Sequence, residues 1–530
     1  MRSRFDWGST SSWLKVLLII ALLLGLFFRF TDLDKKVYWH DEAYTSLWIS
    51  GYSPEEVNDG ILTGKIISAD NIQKYQNLDP ESSVFKTVRL LAMYDPQHPP
   101  LYYSIVRLWV GAFGDSVDSI RRVSALLSLL SLPFAYWLGI ELFNSPQNTW
   151  ILVGLTAISP LQILYAQEAR EYGLWIAMIF FSSAAFLKAI KRPSKLNWLV
   201  YAVSLIMSLY TFLFTVFIMG AHGTYLLVTQ QFRLTKALLS YMTATVVSLL
   251  MFMPWFIILW TNSSTIISAM SWTAVPTPVT ALSRSWMVNT SRIILDFNLK
   301  AQDPFLITVP VIGFTLILTT YALVFLYRNS PRYIWLFIFL LGSFTALALI
   351  IPDLLLGGQR STQNRYLIPT WLSIQLVFSY WLKSLLMPNS SLDVANNSLK
   401  QKISRISFAI LFSLVLTSDI ILLKSDASWM KSISYYHPTT ANIVNQSNQL
   451  LLIGDSSSGN FLGQLLSLSH RLDPKIKLLI LTKPELPQIP DRFNDIFLYN
   501  PSSNLRENIE AIGHSVELVY TEGNLWRFIE

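Results

Sequence analysis

Runs of about 20 apolar residues recur along most of this chain, separated by short polar or basic stretches. A helix that crosses the bilayer needs about 20 such residues to span a hydrocarbon core of about 30 Å. In lipid, every backbone N–H and C=O must be satisfied within the protein, so such runs fold as helical spans. Composition agrees with this reading. Of 530 residues, 52% are hydrophobic and only 14% are charged, against about 25% charged in a soluble globular protein. That deficit excludes a soluble enzyme, a disordered tail and a fibrous repeat. The net charge of +7 is expected in cytoplasmic loops rather than at a nucleic-acid interface. With no Cys in the chain, disulfides, thiolate metal sites and Cys nucleophiles are ruled out.

The pattern predicts a polytopic all-α membrane protein with eleven spans. They lie near 13–30, 123–143, 150–166, 172–190, 197–211, 213–230, 237–260, 305–327, 333–351, 366–386 and 406–424. The first, flanked by Arg2, Arg4 and Lys15 and followed by no small-residue cleavage site, is expected to be retained with its N-terminus in the cytoplasm. Residues 197–230 would reach about 50 Å as one helix, too long for one crossing, so a break is expected around Tyr210-Thr211-Phe212. The stretch Leu101–Phe113 has Arg107 in its middle and reads as an interfacial or re-entrant helix. With that stretch not crossing, Lys191/Arg192/Lys195, Arg233/Lys236, Arg328/Arg332 and Lys400/Lys402/Arg405 all face the cytoplasm, as positive-inside topology requires. The C-terminus is then outside, as suits a bacterial inner (plasma) membrane protein.

The expected domains are a membrane domain over 1–424, with 31–122 as a first outer loop carrying interfacial helices, and a tail over 425–530. In the tail, 449–453, 477–482, 495–499, 516–519 and 525–529 read as strands, with helices at 459–470 and 502–512. That alternation predicts a small α/β domain on the outer face. Gly454-Asp455-Ser456-Ser457-Ser458-Gly459 has the look of an anion cradle at a helix N-terminus, but no Lys accompanies it, and a Gly/Ser loop with a helix cap explains it more simply.

Charges beside spans are costly, so four polar groups stand out, all expected at the outer interface. In Tyr38-Trp39-His40-Asp41-Glu42-Ala43-Tyr44, adjacent carboxylates provide a general base and a neighbour to tune it. The plainer reading is a helix cap leading through Leu47 and Trp48. In Asp95-Pro96-Gln97-His98-Pro99-Pro100, a rigid extended entry holds a single His, and the plainer reading is a helix boundary. Tyr165-Ala166-Gln167-Glu168-Ala169-Arg170-Glu171-Tyr172 packs two acids and a base into four residues between spans, or else forms an intrahelical ion pair. Gln359-Arg360 and Asn364-Arg365-Tyr366, together with Arg121-Arg122, suit a phosphate clamp or ordinary interfacial anchoring. A base, a polarising group and a cationic clamp fit a lipid-linked phosphate better than a soluble nucleotide.

At these four places the chain resembles the dolichyl-phosphate-mannose protein mannosyltransferases and their bacterial relatives. This is the family 39 type of glycosyltransferase with the GT-C fold, and it includes the lipid A aminoarabinose transferases. The matching stretches are WHDEAYTSLW, HPPLYYSIVRLWVGAFGDS followed by RRVSALLSLLSLPFAYWLGIELF, SPLQILYAQEAREYGLW, and RYLIP, in order over about residues 10–385. The resemblance implies a transferase taking a sugar from a polyprenyl-phosphate donor to a lipid, glycan or protein acceptor at the outer (periplasmic) face. It maps the general base onto Asp41 with Glu42 beside it. It gives the donor phosphate and sugar to Arg365, Tyr366 and Arg122, with His98 and Arg170 near them. Glu168 and Glu171 become acids of the second loop, near acceptor or sugar. Some relatives carry a divalent metal ion and others do not. The loop 261–304 is too short for the β-trefoil insertion of the protein mannosyltransferases, and the tail falls outside the likeness. Two other classes compete. A transporter or flippase of a lipid-linked glycan would place its charges near the midplane, where His222 is the main polar group here. A scaffold presenting the tail would leave the acids and arginines without a role.

Overall fold

The computed structural model describes residues 12–300, 303–387, 394–447, 449–457, 460–483, 489 and 493–529. Among them, seven helices are long and apolar enough to cross a membrane: Ser12–Phe30, Val117–Phe143, Tyr172–Lys191, Lys236–Thr261, Leu306–Asn329, Arg332–Leu356 and Lys402–Ser434. The pair Pro146–Ile158 and Pro160–Ala166, bent by 54°, makes up to eight. The chain is therefore an integral membrane protein, and seven to eight of the eleven expected spans meet this test of length and apolarity. Each of the remaining expected spans is nevertheless helical. Lys195–Leu209 and Thr215–Thr229 have 15 residues each, about 22 Å at 1.5 Å per residue, which is short of the hydrocarbon core. The break between them falls at 210–214, where it was expected. Ile368–Leu386 has 19 residues, but Ser373, Gln375, Ser379 and Lys383 dilute its apolar character. Leu101–Phe113 is a helix of 13 residues.

Two compact units divide the chain. The first takes the chain up to Thr31, Ala92–Tyr102 and Arg121–Lys424, and the second takes Asp32–Leu91, Tyr103–Ile120 and Ser425–Glu530. In the first, the 54° bend has a chemical cause. Pro160 has no N–H to offer the Thr156 carbonyl one turn earlier, and Arg29, at the end of the first span, supplies the missing donor. Its Nη2 reaches Thr156 O at 2.9 Å, and its Nη1 donates to Gly25 O at 2.9 Å and to Ala157 O. A side chain at Gly25 would collide with that Ala157 carbonyl. A guanidinium only 1% exposed thus uses the carbonyls freed by the broken helix, which satisfies both.

The second unit is built on a six-stranded sheet. We number its strands β1 (Ile66–Ser68), β2 (Leu450–Asp455), β3 (Lys477–Leu481), β4 (Asp495–Tyr499), β5 (Ser515–Tyr520) and β6 (Leu525–Ile529). Their spatial order is β1-β3-β2-β4-β6-β5. The central three are parallel, with Leu452 opposite both Leu478 and Phe497. The other pairs are antiparallel. β2 is buried along its whole length, as a central parallel strand covered on both faces requires, and its run LLLI follows from that. One face packs Leu451, Ile453, Leu479, Leu481 and Leu498 against Leu505 and Ile509.

The tail strands and helices lie where the sequence pattern placed them, although Ser458 and Gly459 of the Gly/Ser loop fall outside the described residues. The compact units part between Lys424 and Ser425, and most of the loop 31–122 falls with the second unit. The reason is pairing. The short strand Ile66–Ser68 has no partner nearby in sequence and hydrogen-bonds to β3, with Ile67 opposite Leu478.

Beneath the sheet, His437 is buried and held as a neutral ring. Ser467 gives its own proton to Tyr38 O at 2.6 Å, so His437 Nδ1–H donates to Ser467 Oγ at 2.9 Å, and Nε2 accepts from the Tyr499 hydroxyl at 2.9 Å. Burial, with a smaller push from His40, lowers its pKa from 6.5 to about 3. Between those values the unfolded chain binds a proton that the folded one refuses, so this contribution to stability is full above about pH 6.5 and is lost on acidification toward pH 3. Hydrogen exchange of β2 and β3 amides at pH 7.5 and pH 5 should show faster opening at the lower pH. His437→Gln should flatten that difference.

Candidate functional site

In the first unit the second charged loop is a tight turn from the helix ending at Ala166 to the helix starting at Tyr172. Gln167 anchors it, donating to Phe28 O at 2.5 Å and Thr31 O at 3.1 Å. Glu168, Arg170 and Glu171 are all buried. The segment carrying His98 is fixed beside it: Trp255 Nε1 donates to Pro96 O at 3.0 Å, His98 N to Asp95 O at 3.0 Å, and Leu101 N to Tyr210 O at 3.0 Å. Two of the expected groups therefore meet. His98 Nδ1 donates to Glu171 Oε1 at 2.9 Å, and Arg170 Nε lies 3.4 Å from Glu171 Oε2. Arg170 Nη2 is 3.1 Å from one ring nitrogen of His98 and 3.0 Å from the other. Only a position over the ring face gives both distances. Asp95 Oδ1 stands 3.8 Å from Nε2.

Burial of Glu171 favours its neutral form, but Arg170 and His98 prevail and hold its pKa down at about 2. Glu171 is thus an ionised anchor at neutral pH, a poor proton acceptor but a firm orienting group for the imidazole. Among the described residues no group of three or more His, Asp or Glu side chains is arranged to hold a metal ion. Around His98 the reason is plain: Glu171 takes one ring nitrogen and Arg170 covers the face.

Arg365 and Tyr366 sit on a short 3₁₀ turn, Asn364–Leu367, at the end of an irregular loop that begins at Gly357. The loop is pinned by a single carboxylate. Asp353, near the end of the helix Arg332–Leu356, accepts from Arg360 N at 3.1 Å, Arg360 Nη1 at 3.0 Å, Ser361 N at 2.7 Å and Ser361 Oγ at 2.6 Å. Gly358 has φ +138°, and a Cβ there would come within 2.7 Å of Asp353 Oδ1, so only glycine lets the loop close over that carboxylate. The Arg365 guanidinium lies 5.9 Å from the Trp272 ring centre and 5.5 Å from that of Tyr366, a flat cation held by aromatic faces. Arg365 and Glu168 both act electrostatically on the Tyr165 hydroxyl, as do Arg292 and Asp296, so the second loop and the RYLIP turn share one polar neighbourhood. Arg122 is exposed, whereas its neighbour Arg121 is buried.

In the second unit the acid pair opens the helix His40–Ser50. The expected cap and the expected acids turn out to be the same residues. Glu42, fully buried, accepts from Trp39 N at 3.3 Å and from Lys431 Nζ at 2.9 Å. Asp41, one position earlier, is partly exposed.

No family model and no curated protein matches the chain. Among solved structures, ArnT from Cupriavidus metallidurans bound to undecaprenyl phosphate superposes with a TM-score of 0.54 at 12% identity, covering 97% of each chain. The same protein in the apo state gives 0.53 at 12%, covering 98% of each. The fold is GT-C. An archaeal oligosaccharyltransferase, AglB from Archaeoglobus fulgidus, in complex with an inhibitory peptide and a dolichol-phosphate, also matches, at a TM-score of 0.46 and 13% identity, covering 89% of this chain and 64% of its own.

Within this GT-C fold, the sequence pattern singles out His98, Arg170, Glu171 and Arg365 as candidates but not the residues that hold them. Asp353 closes a helix of apolar residues after Pro352, and a lone acid there was itself the available signal. Lys431 had none, being 389 positions from its partner. The cluster around Glu171 yields a direct prediction. Glu171→Gln keeps the shape but leaves Arg170 without its anion, and should cost about 3 kcal/mol of stability at pH 7. In the parent protein the Glu171 contribution is present above about pH 4.5 and is lost as pH falls toward 2. Thermal unfolding of both proteins in detergent should show their gap narrowing through that window.

Proposed function

We propose that this protein is a membrane glycosyltransferase that moves a sugar from a polyprenyl-phosphate donor to an acceptor hydroxyl on a lipid, glycan or protein, with inversion at the anomeric carbon. The observation that carries the reading is the GT-C likeness to ArnT along 97% of both chains, in a structure bound to undecaprenyl phosphate. The arrangement of charge supports it: cations and acids gather at helix ends and connecting turns. The reaction belongs at the outer face of a plasma (inner) membrane, with the donor arriving in the membrane plane.

Asp41 is the proposed base. It removes the proton from the acceptor hydroxyl as that oxygen bonds to the anomeric carbon. The bond from that carbon to the donor phosphate breaks, and lipid phosphate leaves with the electron pair. Phosphate is a competent leaving group, so a positioned base and cationic stabilisation of the departing charge are chemistry enough. Arg365, flanked by Trp272 and Tyr366, is the proposed phosphate holder, and Arg122 is a second cation for it. Glu171, through Arg170 and His98, orders the second loop, whose Glu168 serves the sugar or acceptor. Glu42 tunes Asp41 rather than taking a proton.

The test is sugar transfer from a defined polyprenyl-phosphate donor by purified protein. Asp41→Asn keeps the size of the side chain but cannot accept a proton, so turnover should fall by about 10²–10⁴ with the unfolding temperature unchanged. Wild-type turnover in that variant would remove the base assignment. For the phosphate holder, Arg365→Ala should weaken donor saturation more than Arg365→Lys, which keeps the charge but loses the planar fork. Equal, wild-type saturation in all three proteins would leave Arg365 an interfacial anchor.

A further inference from the structure

The tail's part in the reaction follows from how the acid pair is built. The first turn of the helix His40–Ser50 is held by three side chains of the tail, all within the second unit. Lys431 Nζ is 2.9 Å from Glu42 Oε2, Ser434 Oγ accepts from His40 N at 3.0 Å, and Ser467 Oγ donates to Tyr38 O at 2.6 Å. They grip a carboxylate, an amide and a carbonyl within five consecutive residues, which leaves the turn no freedom to rotate. Lys431 is 3% exposed, Glu42 is 0% exposed, and the ammonium also lies 5.1 Å from the centre of the Trp39 ring. A lysine that buried has given up its water, and it needs this one carboxylate. The approach is close as well. A Cβ on Gly463, in the tail helix Phe461–Ser469, would come within 2.6 Å of the Tyr44 ring.

Resting on the reading of Asp41 as the base, we propose that Lys431 is a positioning residue of the transfer reaction. By fixing the Glu42 carboxylate it sets the direction of the neighbouring Asp41 and keeps the second acid of the pair occupied. The tail is then part of the catalytic apparatus, since one of its residues determines where the base stands. Glu42 is paired with Lys431 at 2.9 Å, so the pair presents one working carboxylate instead of two competing ones. A misplacement of about 1 Å at a reacting group costs up to about 10²-fold in rate, which sets the size of the effect.

The experiment uses the full-length protein and the polyprenyl-phosphate donor. Lys431→Arg, which keeps the ion pair, should retain turnover within about threefold. Lys431→Met should lower kcat by about 10–100-fold while the donor KM stays within about twofold. Should that variant fail to fold because Glu42 is left buried and alone, the double variant Lys431→Met/Glu42→Gln removes both charges together. It should unfold at the parent temperature yet show the same loss of kcat at unchanged KM. Wild-type kcat in the folded double variant overturns the inference, as does a loss that only tracks the fraction of folded protein. Asp41→Asn, run alongside, separates the two ideas. If it is inactive while the double variant is fully active, the base stands and Lys431 has no positioning role. If it is fully active, the base reading itself falls.

Discussion

An ionised carboxylate taken out of water costs several kcal/mol unless matching donors meet it where it comes to rest. Among the buried carboxylates of the described residues, Glu171, Asp353 and Glu42 each belong to one of the loops that carry the candidate chemistry. Glu171 is met by His98 and Arg170, Asp353 by Arg360 and Ser361, and Glu42 by Lys431 and the amide of Trp39. In each case the penalty for the buried charge is offset only in one loop conformation. A loop pinned in this way presents its part-exposed neighbour, such as Arg365 or Asp41, at a fixed angle, which is the preorganisation that the proposed transfer requires. The same logic explains Arg29, whose charge is absorbed by the carbonyls that Pro160 leaves without donors.

These anchors also explain why a protein made mostly of apolar helices can hold polar chemistry at all. The helices set distances to within a turn. The buried charges then select one arrangement from the many that nonspecific apolar packing would tolerate, since a helix that slid by one turn would separate an ion from its partner. Stability and site geometry therefore draw on the same few contacts.

What could be read from the chain follows from the range of the interactions. The spans are local in sequence and were visible, including the break at Tyr210–Phe212. Seven to eight of the eleven expected spans are long and apolar enough to cross, while Lys195–Leu209 and Thr215–Thr229 are apolar helices of 15 residues each. The tail strands were visible because β2 is buried on both faces and reads LLLI. The acid pair stood out because its members are adjacent, and the turn from Glu168 to Glu171 for the same reason. The contact between His98 and Glu171 joins residues 73 apart, and that between Glu42 and Lys431 joins residues 389 apart; no pattern within either segment specifies its partner. The strand Ile66–Ser68 was invisible for a related reason. Three residues carry no periodicity, and the edge they complete belongs to β3.

That strand imposes an order in time. Ile66–Ser68 leaves the ribosome about 400 residues before β3, the strand it must pair with. At the usual pace of about 5–20 residues per second, the first loop waits for roughly 20–80 s with one edge unmade and with Glu42 lacking its lysine. During that interval the membrane helices are already being laid down. The second unit can close only after β3 has been made, so a chain cut short before residue 431 carries its acids and arginines but lacks the lysine that pairs with Glu42. Closure of the second unit thus waits on synthesis of the tail.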